Sequence, residues 1–444
     1  MRKSNRFTLI LVLLSALQVV PILARAQENN LNAFSPYTFY GIGDFSTQGP
    51  TFLRSMGGIG VAYSNLRRAN YVNPASFANI NPKSALFNVG IEGGGVYAKT
   101  ASAKSSYNSF SFRDIALQLP LWGQKIGMGV SVTPFSSVGY RVKMYETDPE
   151  VLANMGSVRY DYLGDGNLTQ FKLGVGAYLF KNFSLGANLI YYHGKIERQF
   201  NTEITNVLGT PDLRAEAGTS YSDYSKLWVD FGVQYAVIAT DERKLTLGAT
   251  YMPRVNLKPT TTREVIATNV YIDTIDYYSA KTNFYLPSSF TGGFYYETVK
   301  LGVGMDYTFQ KWEGLNTNDE ANGVEFTNNH YIKVGAQYTP NFFDPRSFFK
   351  RVTYRVGYRY NSYYMQINGH PIRDHAITFG FGIPLHRRGL TNIDVGFELG
   401  QRGLTTTGFI GTRQFQMVKE RYFKISLGLS LFGEDYWFVK HKYE

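Results

Sequence analysis

Between Arg421 and Phe432 the chain alternates without a slip. Phe423, Ile425, Leu427, Leu429 and Leu431 fall on one face, and Lys424, Ser426, Gly428 and Ser430 fall on the other. A period of two is the geometry of a β-strand, whose successive side chains point to opposite sides. The pattern recurs from about Ala85 to Phe432 in segments about ten residues long, flanked by Tyr, Phe and Trp. Sandwich strands alternate too. Long strands that are apolar on one face, small or polar on the other and bounded by aromatics are the signature of a transmembrane barrel. A bilayer offers no water to an open sheet edge, so such strands close on themselves.

Sixteen segments qualify as strands. Val158–Leu163 and Thr262–Asp276 read as the outer ends of neighbouring strands, which leaves fourteen; twelve or sixteen remain open. Single-chain bacterial barrels take even numbers. Short connections such as Trp122-Gly123-Gln124-Lys125, Lys181-Asn182, Thr240–Arg243 and Thr298-Val299 suit periplasmic turns. Long polar ones such as Gln199–Tyr221 and Glu313–Glu325 suit extracellular loops. No motif recurs at a period of 20–50 residues, which excludes a solenoid or propeller. The expected fold is therefore all-β: an antiparallel transmembrane barrel of about fourteen strands with an N-terminal plug.

The start of the chain belongs to export rather than to the fold. Arg2, Lys3 and Arg6 precede an apolar run, Phe7–Val20, and Ala24-Arg25-Ala26 fits a small-residue cleavage site. Residues 1–26 read as a signal peptide, 27–83 as an N-terminal hatch, 84–432 as the barrel and 433–444 as a C-terminal extension. The hatch segment does not alternate. It carries Gly41, Gly43, Gly57, Gly58 and Gly60, then Asn73-Pro74-Ala75-Ser76, among Phe, Tyr, Ile and Met. Such a composition requires burial, and in a barrel the site for it is the lumen.

Composition narrows the chemistry. The 444 residues include 44 Gly, 70 aromatics and no Cys, so disulfides, thiolate metal sites and Cys nucleophiles are excluded. The signal holds four basic residues and no acid, reducing the net charge from +11 to +7. No dense Lys/Arg cluster points to nucleic acid. The six His form no HExxH or other recognised ligand pair. His370 and His375 read as loop residues, and Asp161 and Asp165 as residues of a solvated loop. No Gly-x-Ser-x-Gly elbow is present. The expectation is a non-enzyme without cofactor or metal.

Arg54-Ser-Met56-Gly57-Gly58-Ile-Gly-Val-Ala62, followed by Asn73-Pro74-Ala75, resembles the N-terminal hatch of FadL-type transporters. Ile126-Gly-Met-Gly129 leading to Pro134-Phe135 and Tyr140 is similar to that family's third-strand region, and Leu286-Pro287…Gly293 with Asp306-Tyr307 and Trp312 is similar to a later stretch. The short motifs are spread over most of the mature chain. Ser136 stands where the family often has Gly, and the residues after Phe432 depart from a chain that ends on its last strand.

The resemblance implies a fourteen-stranded barrel in the outer membrane of a Gram-negative bacterium, its lumen blocked by the hatch. It implies Met56, Gly57, Gly58, Asn73, Pro74 and Ala75 as the hatch motif. Release would be sideways, through a gap beside a strand kinked at Pro134 and Phe135; proline lacks the N–H a ladder needs. Phe34, Phe39 and Phe77 are the expected lining of a pocket for a hydrophobic molecule such as a long-chain fatty acid. Outer-membrane lipid is the surrounding partner. A second reading stays open, in which a FadL-like barrel docks exported proteins through its loops, as the shuttle of type IX secretion does.

Overall fold

The computed structural model describes residues 35–81, 84–122, 125–205, 215–268, 272–316, 323–385, 391–410 and 413–432. The signal peptide, Phe34, Gly123-Gln124 and the C-terminal extension lie outside the described residues.

Fourteen antiparallel strands close into a barrel. In chain order they are β1 (Leu86–Lys99), β2 (Lys104–Trp122), β3 (Ile126–Tyr145), β4 (Ser157–Phe180), β5 (Phe183–Thr205) and β6 (Ala215–Ala239). Next come β7 (Arg243–Met252, resuming at Thr260–Thr268), β8 (Ile272–Lys281, resuming at Ser289–Thr298), β9 (Leu301–Gln310) and β10 (Asn329–Tyr338). The last are β11 (Thr353–Asn361), β12 (Asp374–Pro384), β13 (Asn392–Arg402) and β14 (Lys419–Phe432). β14 pairs with β1 along its whole length, Leu86 opposite Phe432 and Lys99 opposite Lys419, and so removes the sheet's edges.

The alternation read from the sequence sorts the side chains as expected. On β14, Phe423, Ile425, Leu427 and Leu431 are exposed on the outer face, while Ser426 and Ser430 are buried inside. Phe171, Leu173, Val175 and Leu179 of β4 and Phe231, Val233, Tyr235 and Val237 of β6 extend the apolar outer band. This band is what the hydrocarbon of a bilayer requires.

Strand length is uneven around the barrel. β9 to β13 have 9–11 residues, about what a tilted strand needs to span a bilayer. β4, β5 and β6 have 24, 23 and 25. The surplus stands as a one-sided projection at the long-loop end, and Val158–Leu163 is the upper part of β4. Thr262–Thr268 and Ile272–Asp276 are the paired upper ends of β7 and β8. Asp161 and Asp165 therefore lie in a strand, not in a loop. His375 is likewise a residue of β12.

β7 and β8 both break at the same height. Residues 253–259 and 282–288 turn inward, where Val255-Asn256 pairs with Tyr285-Leu286. Val255, Leu257 and Leu286 become core residues. Proline at 253, 259 and 287 removes donors at the places where the two ladders stop.

Candidate functional site

The wall is incomplete between β2 and β3. Their ladder runs from Trp122–Ile126 up to Ile115–Val132 and ends there. β2 nevertheless stays paired with β1 up to Lys104, and β3 with β4 up to Tyr145. Above Val132 the two strands part, leaving a seam in the wall. The register of β3 on β4 slips at Pro134–Ser136, so Phe135 is an extra, bulged residue. Below the bulge Gly129, Ser131 and Thr133 face inward; above it Ser136, Val138 and Tyr140 do. A one-residue slip exchanges the two faces of a strand.

The free backbone of β3 is paired by the N-terminal segment instead of by β2. Asp44 and Phe45 form a two-residue strand opposite Ser137 and Ser136. Ser46 N donates to Phe135 O (2.9 Å) and Ser35 N to Gly139 O (2.8 Å). Gly139 N donates to Thr38 Oγ1 (3.1 Å), and Gln48 Nε2 to Pro134 O (3.1 Å). From the far side of the seam, Arg113 on β2 donates through Nη2 to Thr47 O (2.8 Å). Residues 44–48 are thus wedged behind the seam. This satisfies groups that an unpaired edge would leave bare in a membrane.

Inside the seam lies an aromatic cluster. Phe45 packs against Phe135, Trp312 and Tyr364 at centroid distances of 5.3, 5.7 and 5.2 Å. Phe135 in turn meets Tyr192 at 4.7 Å, and Trp312 meets Tyr364 at 4.8 Å. The rings belong to a core that also takes Ile190 and Ile196 from the wall and Leu257 and Leu286 from the inward turns.

The lower part of the N-terminal segment sits against barrel glycines. A methyl group built on Gly357 would overlap the Gly57 nitrogen, and one on Gly335 the Met56 carbonyl. One on Gly232 would overlap the Asn73 side chain, and one on Gly186 the Pro74 carbonyl group. These inward glycines are sockets for the segment. Gly57 has φ +71° and its nitrogen donates to Thr378 Oγ1 (2.8 Å), a backbone shape that favours glycine. Asn73 donates to Val61 O (2.7 Å) and Val233 O (3.1 Å) and accepts from Ala75 N (3.0 Å), capping the short helix Pro74–Ala78. Asp306 of β9 accepts from Gly60 N (2.7 Å) and Val61 N (3.0 Å).

One side of the lumen is charged. Asp394 pairs with Arg68 (2.9 Å) and Arg355 (2.8 Å). Arg359 pairs with Asp374 (2.9 Å) and Glu398 (2.7 Å). Arg54 of the segment pairs with Glu92 of β1. Near the rim, Arg402 of β13 pairs with Asp44 and, at 3.2 Å, with Glu420. Burial raises the Asp44 carboxyl, but the Arg402 charge and the hydrogen bonds from Arg402 and Tyr363 outweigh it and hold the group below its ordinary range. Among the described residues no group of three His, Asp or Glu side chains is arranged to hold a metal ion.

The sequence-predicted residues separate into two places. Met56, Gly57 and Gly58 sit against β10 and β11, and Asn73, Pro74 and Ala75 against β5 and β6, all buried. Pro134 and Phe135 stand at the seam. Phe39 lies in the upper cluster against Tyr140 (4.9 Å) and Tyr162 (5.6 Å). Phe77 lies in a separate lower cluster with Tyr71 and Ala116. Phe39 and Phe77 therefore do not line one pocket, because the lower segment is packed directly on the glycine sockets. Of the residues that hold the cluster together, Trp312 falls in the later family-like stretch, whereas Phe45, Tyr192 and Tyr364 carry no motif in the sequence.

A closed fourteen-stranded barrel, filled by its own N-terminal segment and broken beside its third strand, defines the class by its fold: a plugged antiparallel β-barrel of FadL-like architecture. The BamG family model matches residues 6–444, and the chain belongs to that family. Solved structures share the fold. A Pseudomonas aeruginosa FadL homologue aligns at TM-score 0.57 with 11% identity, covering 88% of this chain and 99% of that one. The Ralstonia pickettii toluene transporter TbuX aligns at 0.54 with 14% identity, covering 87% and 98%. CymD, a monoaromatic hydrocarbon channel, gives the same values. No curated protein matches the chain by sequence.

Proposed function

We propose that this barrel admits hydrophobic small molecules, long-chain fatty acids among them, across the outer membrane of a Gram-negative bacterium. The molecule enters at the long-loop end, partitions into the aromatic cluster and leaves sideways through the β2–β3 seam. Residues 35–81 act as the plug that bars water and ions, after removal of a signal peptide. The observation that carries this reading is the ladder's end at Ile115–Val132, directly beside the cluster built on Phe45 and Phe135. Burying apolar surface returns roughly 25 cal/mol per Å², so an apolar cluster opening toward lipid needs no other source of affinity. The fold shared with a toluene transporter and a monoaromatic hydrocarbon channel supports it.

The chain has no Cys, so a Thr47→Cys/Arg113→Cys pair can be bridged across the seam by a short thiol cross-linker. Uptake of a fluorescent long-chain fatty acid by cells should fall on cross-linking and recover when a cleavable linker is reduced. Unchanged uptake with the bridge formed would sink lateral release. A docking role for exported proteins draws on a different part of the molecule, the projection at the long-loop end.

A further inference from the structure

We propose that the connection between β10 and β11, Thr339–Val352, is a foot that seats in the bilayer leaflet at the short-turn end and takes anionic phospholipid headgroups. Four other connections at that end have two or three residues, whereas this one has fourteen. It is folded on its own backbone. Asn341 N donates to Lys350 O (2.8 Å). Asp344 Oδ1 accepts from Arg346 N (2.9 Å) and Ser347 N (2.7 Å). Phe348–Arg351 makes a helical turn.

Phenylalanine is among the side chains most often buried, yet this loop displays it. Phe343 and Phe349 are 66% and 72% exposed, and Phe348 is exposed beside them. The rings meet as neighbours, Phe342 with Phe343 at 5.0 Å and Phe348 with Phe349 at 5.8 Å. Phe342 turns the other way, toward Arg67 of the N-terminal segment, whose guanidinium lies 5.9 Å from its ring. Exposed rings grouped on one folded loop mark a surface that something apolar covers.

Position and charge identify the cover as lipid. Tyr354 stands on the outward face of β11, as Val356 and Tyr358 do, and donates its hydroxyl to Phe349 O (3.2 Å). The same Tyr354 packs edge to face on Phe381, an outward residue of β12, at 5.9 Å. The foot therefore continues the lipid-facing band instead of closing the lumen. Trp122 and Phe180, the last residues of β2 and β4 at this end, are exposed, which sets the aromatic girdle at the level of the strand ends. Phe349 lies at that level, beside the second residue of β11. Residues 340–351 hold Arg346, Lys350 and Arg351 against one acid, Asp344, a net charge of +2. The Arg351 guanidinium lies 5.8 Å from the Phe348 ring. Rings at the acyl boundary with cations reaching the phosphate layer form an interfacial pattern, and such cations are drawn to anionic lipid.

The test uses the full-length protein in vesicles of phosphatidylethanolamine and phosphatidylglycerol, with single cysteines at Phe343→Cys and Phe349→Cys and a water-facing control at Gln199→Cys. Each carries a fluorophore, quenched either by phospholipid bearing a headgroup-level nitroxide or by iodide on both sides of the membrane. Heat-modifiable gel migration reports that each barrel is folded. The foot labels should be quenched about threefold more by the lipid nitroxide, and about threefold less by iodide, than the control. Adding Arg346→Glu and Lys350→Glu should halve the lipid quenching, roughly as replacing both lipids with phosphatidylcholine does. Iodide quenching equal to the control's overturns the proposal. If those water-exposed labels become protected in native membranes, the cover is a protein partner. Lipid quenching that neither charge reversal nor phosphatidylcholine alters overturns the recognition of anionic headgroups.

Discussion

Phe45 and Phe135 meet edge to face, centroids 5.3 Å apart, although 90 residues separate them in the chain. One belongs to the segment that fills the lumen, the other to the bulge that opens the wall. The same few residues therefore satisfy the loose backbone of β3 and form the centre of the aromatic cluster. Any movement that frees the seam has to part this pair, so the seam and the aromatic cluster are coupled by construction.

Removing the ring of Phe45 should loosen both. Phe45→Ala leaves Phe135, Trp312 and Tyr364 facing a void and should cost about 2–3 kcal/mol, toward the low end for a large-to-small change because Phe45 is only half-buried. The expected readout is a lower urea midpoint in lipid bilayers, with raised basal conductance. Phe52→Ala, in the separate cluster with Tyr63 and Tyr295 away from the seam, should destabilise without opening it.

The pair Asp44–Arg402 ties the same segment to β13. Arg402 also faces Glu420, so Arg402→Ala leaves two carboxylates without their cation and should destabilise by about 3–5 kcal/mol. Asp44→Asn keeps one acceptor oxygen for Tyr363 and Arg402 but loses the charge and the second oxygen that Arg402 reaches, and should cost less. The depressed Asp44 carboxyl contributes stability above its ordinary value of 3.8, and this is lost as pH falls through the lower folded-state value. Acid release of residues 44–45, followed by tryptophan fluorescence of Trp312, is expected only below pH 3.8. Asp44→Asn should abolish that acid step; an unshifted transition would show that another group controls it.

Asn73 offers a narrower test. Its side chain donates to Val61 O and Val233 O and caps the helix that follows. Asn73→Ala loses the cap, worth about 1 kcal/mol, and leaves Val61 O with one donor fewer. Asn73→Asp keeps the cap but not the donors. Hydrogen exchange at Ala75 N should rise in the first and stay low in the second.

Much of this architecture is legible in residue order because period two is a local property. The faces of β14 can be assigned from Arg421–Phe432 alone, and Pro134 marks the bulge because a missing donor is visible in the sequence. Three features are not local. Arg68 and Asp394 meet across 326 positions, so the ionic layer has no sequence signature. The inward turns of β7 and β8 look like ordinary Pro-bearing ends, because only the paired Val255 and Leu286 show that the chain resumes the same strands. Phe39 and Phe77 are both aromatic residues of one segment, yet its lower half is fixed by glycines on the opposite wall that read merely as the small face of a strand.

Those glycines give the sharpest separation of plug from barrel. Gly357 and Gly335 leave room for Met56 and Gly57, and Gly232 and Gly186 for Asn73 and Pro74. A larger side chain at these sites is compatible with a strand, since β-branched residues suit the pleat, but not with the segment behind it. Gly357→Val should therefore leave the barrel folded and heat-modifiable while displacing residues 56–58, giving larger single-channel conductance in planar bilayers. Deleting residues 27–80 should raise conductance further, and adding Gly357→Val to the deletion should then change nothing. The non-additivity is the decisive part: two changes that act on one plug cannot open it twice. If Gly357→Val raised conductance equally with and without the segment, the glycine would be shaping the pore itself, and residues 35–81 would not be what closes it.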